Sequence, residues 1–360
     1  MPCDKAMEHP VAGDLEHVLA HTADIWESLR GQRIFITGGT GFVGRWLTES
    51  LAWANQRLQL GLRAVLLTRD PDGFRAKARR LAGDSSIQLV GGDICSFEFP
   101  KGEFPFVIHA ATERYFEPTP DQPVSHLDRD VGGTRRVLEF ARTHGTNRLL
   151  FTSSGGIYGP QPPELTHIPE DYCGTTSTKK ATYAGAQAKR ISEGLCAMYS
   201  RQYGFAAMIA RMFTFVGPHL PLSEKFAVGN FIRDAMAGGP IRIRGDGTPY
   251  RSYLYAADLA IWLWTILVRG ESMRPVNVGS GDAVSIAELA RVVVDVVAPG
   301  KAIEIACQPV PGHPVARYVP DVQRAERELG LRTLVSLPEA VRRTYEWARP
   351  AWTLHHDKNN

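Results

Sequence analysis

Three glycines are the first residues whose type and spacing could do chemistry. Gly38, Gly41 and Gly44 recur at every third position in Gly38-Gly39-Thr40-Gly41-Phe42-Val43-Gly44, between the apolar run Ile34-Phe35-Ile36-Thr37 and a helical stretch. The first permits a tight turn, the second lets the backbone approach a pyrophosphate, and the third lets a helix close on a strand. A helix N-terminus then offers N–H groups and a positive dipole end to phosphates. The chemistry is dinucleotide binding. The next apolar run, Val65 to Thr68, ends in Arg69-Asp70-Pro71. A carboxylate at that strand end would bind a ribose 2′-hydroxyl, whereas an arginine there meets a 2′-phosphate. Arg69 holds the place and Asp70 comes one residue late. This favours NADP slightly over NAD, with an arginine stacked on adenine above bound NAD as the other reading. Asp93, after Val90-Gly91-Gly92, is placed to accept from an adenine amino group or to serve as a turn aspartate.

The elements that must position these residues are legible as alternation. Short apolar or β-branched runs cover residues 33–37, 64–68, 87–90, 106–109, 148–152 and 207–212. Helical stretches fall between them, among them 44–56, 131–144 and 183–203. Continuous apolar strands alternating with helices indicate an α/β fold, a Rossmann-type doubly wound parallel sheet covered on both faces. After residue 213 the pattern loosens into a smaller C-terminal substrate-binding lobe, in which Ser285-Ile286-Ala287-Glu288 fits a capping box. The expected organisation is an N-terminal helical extension (1–31), a dinucleotide-binding domain (32–212), an interleaved substrate lobe (213–349) and a flexible tail (350–360). Apolar positions from Leu15 to Leu29 recur at helical spacing and suggest a helix covering a core edge.

With 360 residues, 44% apolar and 22% charged, the chain can bury a substantial core. Its 41 basic and 38 acidic side chains leave a formal charge of +3, which points away from nucleic acid and membrane surfaces. The run Leu259 to Val268 is too short to span a bilayer and reads as a buried helix. Five cysteines without a CxxC pair read as reduced thiols rather than a disulfide frame or a metal site. No secretory signal is visible in Met1-Pro2-Cys3-Asp4-Lys5, so a cytoplasmic enzyme is expected.

Taken together, the motifs resemble those of the extended short-chain dehydrogenase/reductase family, in particular its NAD(P)-dependent nucleotide-sugar epimerases and dehydratases. The likeness runs from about Arg33 to Trp347. Besides the glycine motif it rests on Val107-Ile108-His109-Ala110-Ala111 and on Phe151-Thr152-Ser153-Ser154-Gly155-Gly156-Ile157-Tyr158-Gly159. It also rests on the segments 211–218, 245–251 and Asn277-Val278-Gly279-Ser280. The resemblance implies that Gly38, Gly41, Phe42, Val43, Gly44, Arg69, Asp93, Ile94, Ala110, Ala111, Thr112 and Thr152 hold the cofactor. It implies that Ser154 hydrogen-bonds the reacting sugar hydroxyl. Lys189, matched through Ala188-Lys189-Arg190-Ile191-Ser192-Glu193, would hold the nicotinamide ribose and lower the pKa of a tyrosinate base. It places Glu113 at the nicotinamide edge, and Thr214, Asn230, Arg251 and Arg317 on the nucleotide-diphosphate sugar. A homodimer through the helix carrying Lys189 is implied by the same likeness.

Two departures bear on the reaction. Four residues before Lys189, where the family's tyrosine belongs, stands Gly185. The nearest phenol, Tyr183, is six residues away, about 600° around a regular helix, and would not share a face with Lys189. Tyr183 entering from a distorted helix start, a different base such as Lys189 or a lobe residue, and a modified or absent reaction all stay open. The second departure is Gly155-Gly156, which replaces the Asp-Glu pair of the dehydratases and leaves no glutamate of the sugar-acid decarboxylase kind. The expected reaction is therefore epimerisation by transient oxidation at a sugar carbon. The alternatives are atypical dehydration or lyase chemistry, NADPH-dependent reduction, and a cofactor-binding pseudoenzyme. Glu164, His167, Asp171 and Cys173, in the loop 159–182, are further polar groups that could reach the site.

Overall fold

Successive residues of a strand point to opposite faces of a sheet. Along Arg33–Thr37 (β1), Ile34 and Ile36 fall in one buried cluster and Phe35 in another. Both faces of the sheet are thus covered, as continuous apolar strands require. The structure, a computed structural model, describes residues 9–112, 123–175, 183–222, 226–312 and 314–356. Glu113 lies outside the described residues.

Helix α1 (Ala12–Thr22) precedes β1. The chain continues as α2 (Phe42–Leu58), β2 (Arg63–Thr68), α3 (Pro71–Lys77), α4 (Arg79–Ala82), β3 (Ile87–Gly91) and β4 (Phe106–His109). Then come α5 (Pro123–Thr143), β5 (Arg148–Ser154), α6 (Ala184–Tyr203) and β6 (Ala206–Met212). The second half holds β7 (Phe215–Val216), α7 (Ala227–Met236), β8 (Ile241–Ile243), β9 (Tyr250–Arg251), β10 (Leu254–Tyr255), α8 (Ala256–Arg269) and β11 (Val276–Val278). It closes with β12 (Val284–Ser285), α9 (Ile286–Val297), β13 (Ile303–Ile305), β14 (Arg317–Tyr318), α10 (Gln323–Leu329) and α11 (Leu337–His356).

Seven parallel strands form the central sheet in the order β11-β6-β5-β4-β1-β2-β3. The order reverses between β1 and β4, and a crevice opens there at the strands' carboxyl ends. β11 is the addition to the six strands expected. It is three residues long with a polar Asn277 at its centre, too short for a periodicity to register.

One face of the sheet is sealed by aromatic packing of Phe35, Phe97, Phe104 and Phe140 under α5 and α6. The other carries α2 and α8. From Ala256 to Leu267 every residue of α8 is buried, the mark of a core helix. The N-terminal helix covers it: Tyr255 donates to Asp14 at 2.6 Å, His17 lies 3.2 Å from Asp258, and Trp26 packs on Trp264 at 4.9 Å between ring centroids. The single helix expected here is divided. α1 stops at Thr22, and a tighter 3-10 turn, Trp26–Leu29, follows. The Trp26 indole donates to Thr22 Oγ1 at 2.8 Å, which turns the ring into the core. At the other end α11 runs through Pro350 to His356, so the segment expected as a tail continues a helix. The capping box of α9 is present, with Ser285 and Glu288 each bonded to the other's backbone N–H.

Candidate active site

The glycine cradle stands at the carboxyl end of β1. Gly38 has φ +72°, a left-handed conformation that favours glycine. A Cβ placed there would lie 2.5 Å from Ala110 C and Ala111 N, and one on Gly44 would lie 2.1 Å from Gly38 O. No side chain caps the first turn of α2, which leaves its N–H groups for a phosphate. A cleft of about 460 Å³ opens above this turn. It is lined by Gly38, Gly41, Phe42, Val43, Gly44, Arg69, Asp93, Ile94, Ala110, Ala111 and Thr112. The structure therefore brings together every residue expected to hold the cofactor except Thr152 and Lys189. A backbone-walled cradle at a bare helix N-terminus fits a dinucleotide pyrophosphate.

At the second strand the geometry separates the two candidates. Asp70 Oδ1 accepts from Gly73 N at 2.8 Å and caps α3, with Pro71 in its first turn. Its carboxylate is engaged there, and Arg69 and Thr68 line the cleft. Asp93 lines the cleft and serves as a turn aspartate, accepting from Cys95 N at 2.9 Å. Sequence reasoning missed Arg129 and Asp130 of α5, and Leu220, Pro221 and Phe226, which come from the lobe to the same cleft. Their contribution depends on chain segments far from the motifs, which no local pattern reports.

Below the cleft lies a buried polar layer. Lys189 Nζ donates to Thr152 O at 2.9 Å and stands 4.7 Å from the Phe151 ring centroid. Burial holds its pKa below the ordinary lysine range, with Asp130, Cys196 and Glu193 opposing that shift. His109 joins this layer, its Nδ1 2.8 Å from Thr37 Oγ1 and its Nε2 3.1 Å from Thr134 Oγ1. Burial first, then the Lys189 charge, push His109 down to about 3.

This sets a pH dependence. Histidine in the unfolded chain titrates near 6.5. His109 imposes no penalty above that pH, and stability is lost as the pH falls from about 6.5 toward 3, by about 2 kcal/mol at pH 5. Thermal melts of the native chain and His109→Gln at neutral pH and near pH 5 check this. The variant is expected to show a shallower loss on acidification.

Ser154 ends β5. Its Oγ accepts from Gly156 N at 3.0 Å and caps the 3-10 turn Gly155–Tyr158. Tyr158 is committed elsewhere: it donates to Asn277 Oδ1 and accepts from Arg211, both at 2.8 Å, and burial raises its pKa. Tyr183 is the residue just before α6, with φ −90° and ψ 3°. It is thus outside the helix that carries Lys189, whereas Gly185 lies within it.

Of the lobe residues, Thr214 lies between β6 and β7, its carbonyl accepting from Leu254 N, and Asn230 sits on α7 one turn after Phe226. Arg251 and Arg317 occupy adjacent strands β9 and β14, where Arg317 pairs with Tyr250 and Tyr318 with Arg251. Residues paired across two strands share a face, so Arg317 turns away from Arg251. Its guanidinium lies 4.2 Å from the Tyr250 ring. The structure does not bring these two arginines together. His167 and Asp171 bind Gly281 O and Arg324, fastening their loop to the lobe.

Fold and cleft define a dinucleotide-binding protein of the Rossmann class. The chain belongs to the NAD dependent epimerase/dehydratase family, whose model matches residues 34–279. It is 28% identical over 329 residues to UDP-glucuronic acid decarboxylase 1 of Xenopus tropicalis, spanning 91% of this chain and 74% of that one. In fold it is similar to the UDP-glucose 4-epimerase of Thermotoga maritima, with a TM-score of 0.73 at 20% identity over 89% of this chain and 99% of that one. It is also similar to DesIV, the dTDP-glucose 4,6-dehydratase of Streptomyces venezuelae solved with NAD, with a TM-score of 0.75 at 23% identity over 89% and 97% of the two chains. The chain is an NAD-dependent enzyme of the nucleotide-sugar epimerase/dehydratase type. Among the described residues no helix is long and apolar enough to cross a membrane, and no cluster of side chains could hold a metal ion.

Proposed function

We propose that the chain epimerises a nucleotide-diphosphate sugar by transient oxidation at one sugar carbon. The observation that carries this reading is the pair Gly155-Gly156 directly after Ser154. It leaves a hydroxyl at the site and none of the adjacent carboxylates that water elimination uses as acid and base. The residues lining the cleft from Gly38 to Thr112 would hold the dinucleotide, which when bound supplies a hydride acceptor and donor. Ser154 would orient the sugar hydroxyl, and Lys189, fixed on the Thr152 carbonyl, would bind the ribose. A base, Tyr183 or Lys189 itself, would take the hydroxyl proton as the hydride leaves and return it when the hydride comes back. Arg251 and Asn230 would meet the diphosphate.

The test is the whole protein with NAD or, separately, NADPH and a panel of UDP-, dTDP-, GDP- and CDP-sugars, with products followed by NMR. An epimer formed without net change in the cofactor supports the reading. Loss of water, or NADPH consumed mole for mole, overturns it. The relative from Xenopus tropicalis favours a second reading, sugar-acid decarboxylation, which released carbon dioxide would reveal.

For the cofactor we read NADP as bound at least as well as NAD, because Arg69 and not Asp70 lines the cleft. Arg69→Gln is expected to weaken NADP binding about tenfold or more, from the loss of a charge-assisted bond, and to leave NAD binding nearly unchanged. Titration of both dinucleotides checks this. Exposed Ile191 and Met198, two turns apart on α6, support a homodimer through that helix, which sedimentation of the whole chain would measure.

A further inference from the structure

One side chain reaches Ser154 from the lobe. On β14, Tyr318 shares its face with Arg251. The backbone just after it is pinned: Val319 N donates to Gln161 Oε1 at 3.0 Å, and Ile168 N donates to Val319 O at 2.9 Å. The Tyr318 ring packs on Phe213 at 4.6 Å between centroids. Its phenol stands beside Ser154, whose hydroxyl opposes the rise of its pKa, and donates to Met212 O over a long 3.4 Å. Gly155 makes the space. A Cβ there would stand 2.7 Å from both Tyr318 Oη and Phe213 Cζ, a separation carbon atoms do not tolerate. A side chain at position 155 and a phenol beside Ser154 therefore exclude each other.

We propose that Tyr318 and Ser154 act as paired hydrogen-bond donors to the reacting sugar oxygen, the phenol coming from the lobe instead of from the helix position occupied by Gly185. This rests on the reading that the site acts on a sugar hydroxyl. Burial raises the phenol to about 12, against the opposing effects of Ser154 and Arg251. At neutral pH it is a protonated donor, not a base, and its bond strengthens as negative charge develops on the oxygen. The phenol keeps its proton throughout.

Tyr318→Phe retains the ring and its packing. With a nucleotide sugar that the native enzyme turns over, kcat is expected to fall by about 10²–10³-fold, as on loss of one donor to a developing oxyanion. KM and NAD binding should change little. The double variant Ser154→Ala, Tyr318→Phe should lose less than the product of the single losses, because the pair acts as a unit. Native kcat in Tyr318→Phe overturns the proposal. If the native enzyme turns over no nucleotide sugar, the functional reading falls and takes this role with it. A substrate-free measurement separates the two cases. In NMR of the whole chain with ring-carbon-labelled tyrosine, the signal absent from Tyr318→Phe is expected to move in Ser154→Ala. An unmoved signal overturns the pairing whatever the substrate.

Discussion

Gly44→Ala is expected to abolish dinucleotide binding. The added methyl would lie 2.1 Å from Gly38 O and 2.5 Å from Gly39 Cα. Both are backbone atoms of the turn, so no side-chain rotation relieves the contact. The start of α2 must move away from β1, and its first-turn N–H groups move with it. Those groups and the dipole behind them are what a pyrophosphate binds. Overpacking of this kind costs about 1–3 kcal/mol of stability, which leaves the chain folded. Fluorescence titration with NAD checks the prediction: the native chain saturates, and the variant should not at the same concentrations. Native-like saturation in Gly44→Ala would mean that the phosphates bind elsewhere.

Lys189→Met should separate activity from stability. The ammonium is buried, with a backbone carbonyl as its hydrogen-bonding partner and a ring face nearby. A charge held this way carries a desolvation penalty, seen in the depression of its pKa. Methionine keeps most of the stem's volume without the charge, so the melting temperature should hold or rise. Turnover should fall by about 10²–10⁴-fold, the usual size of a lost acid–base contribution. Melting curves and kcat on the same preparations read both effects. A variant that keeps its turnover would remove Lys189 from the mechanism.

The same two residues illustrate what could be read from the chain. Gly44 is legible because its role is local: a strand, three spaced glycines and the first turn of a helix occupy residues 33–45, and each step has a backbone reason. β1 and β4 lie where their apolar runs end, at residues 33–37 and 106–109. The cofactor side of the cleft follows from these strand ends, since a parallel sheet delivers all of them to one edge. Helix α5 was less visible. It begins at Pro123 rather than near Val131, because its first turns are mostly polar, with Ser125, His126, Asp128 and Arg129, and their apolar Val124 stands exposed. The division of the N-terminal helix at Thr22 was hidden too, because it follows from where Trp26 packs.

The base-side chemistry was not legible, and the reason lies in distance along the chain. A count of residues shows that Gly185 leaves no phenol on the face of Lys189. It cannot show what fills the space beside Ser154. That depends on a two-residue strand more than 160 positions away, on its parallel register against β9, and on the missing side chain of Gly155. The opposite orientations of Arg251 and Arg317 depend on the same register.

By itself the sequence determined six strands of the sheet and the dinucleotide cleft, because periodicity and glycine spacing act between near neighbours, while the class of enzyme followed from the family its motifs resemble. Only the tertiary structure decided that Asp70 is engaged in capping α3, leaving Arg69 on the cleft, and that Tyr318 stands beside Ser154. Those outcomes are set by a helix cap and by the packing of segments brought together from opposite ends of the chain.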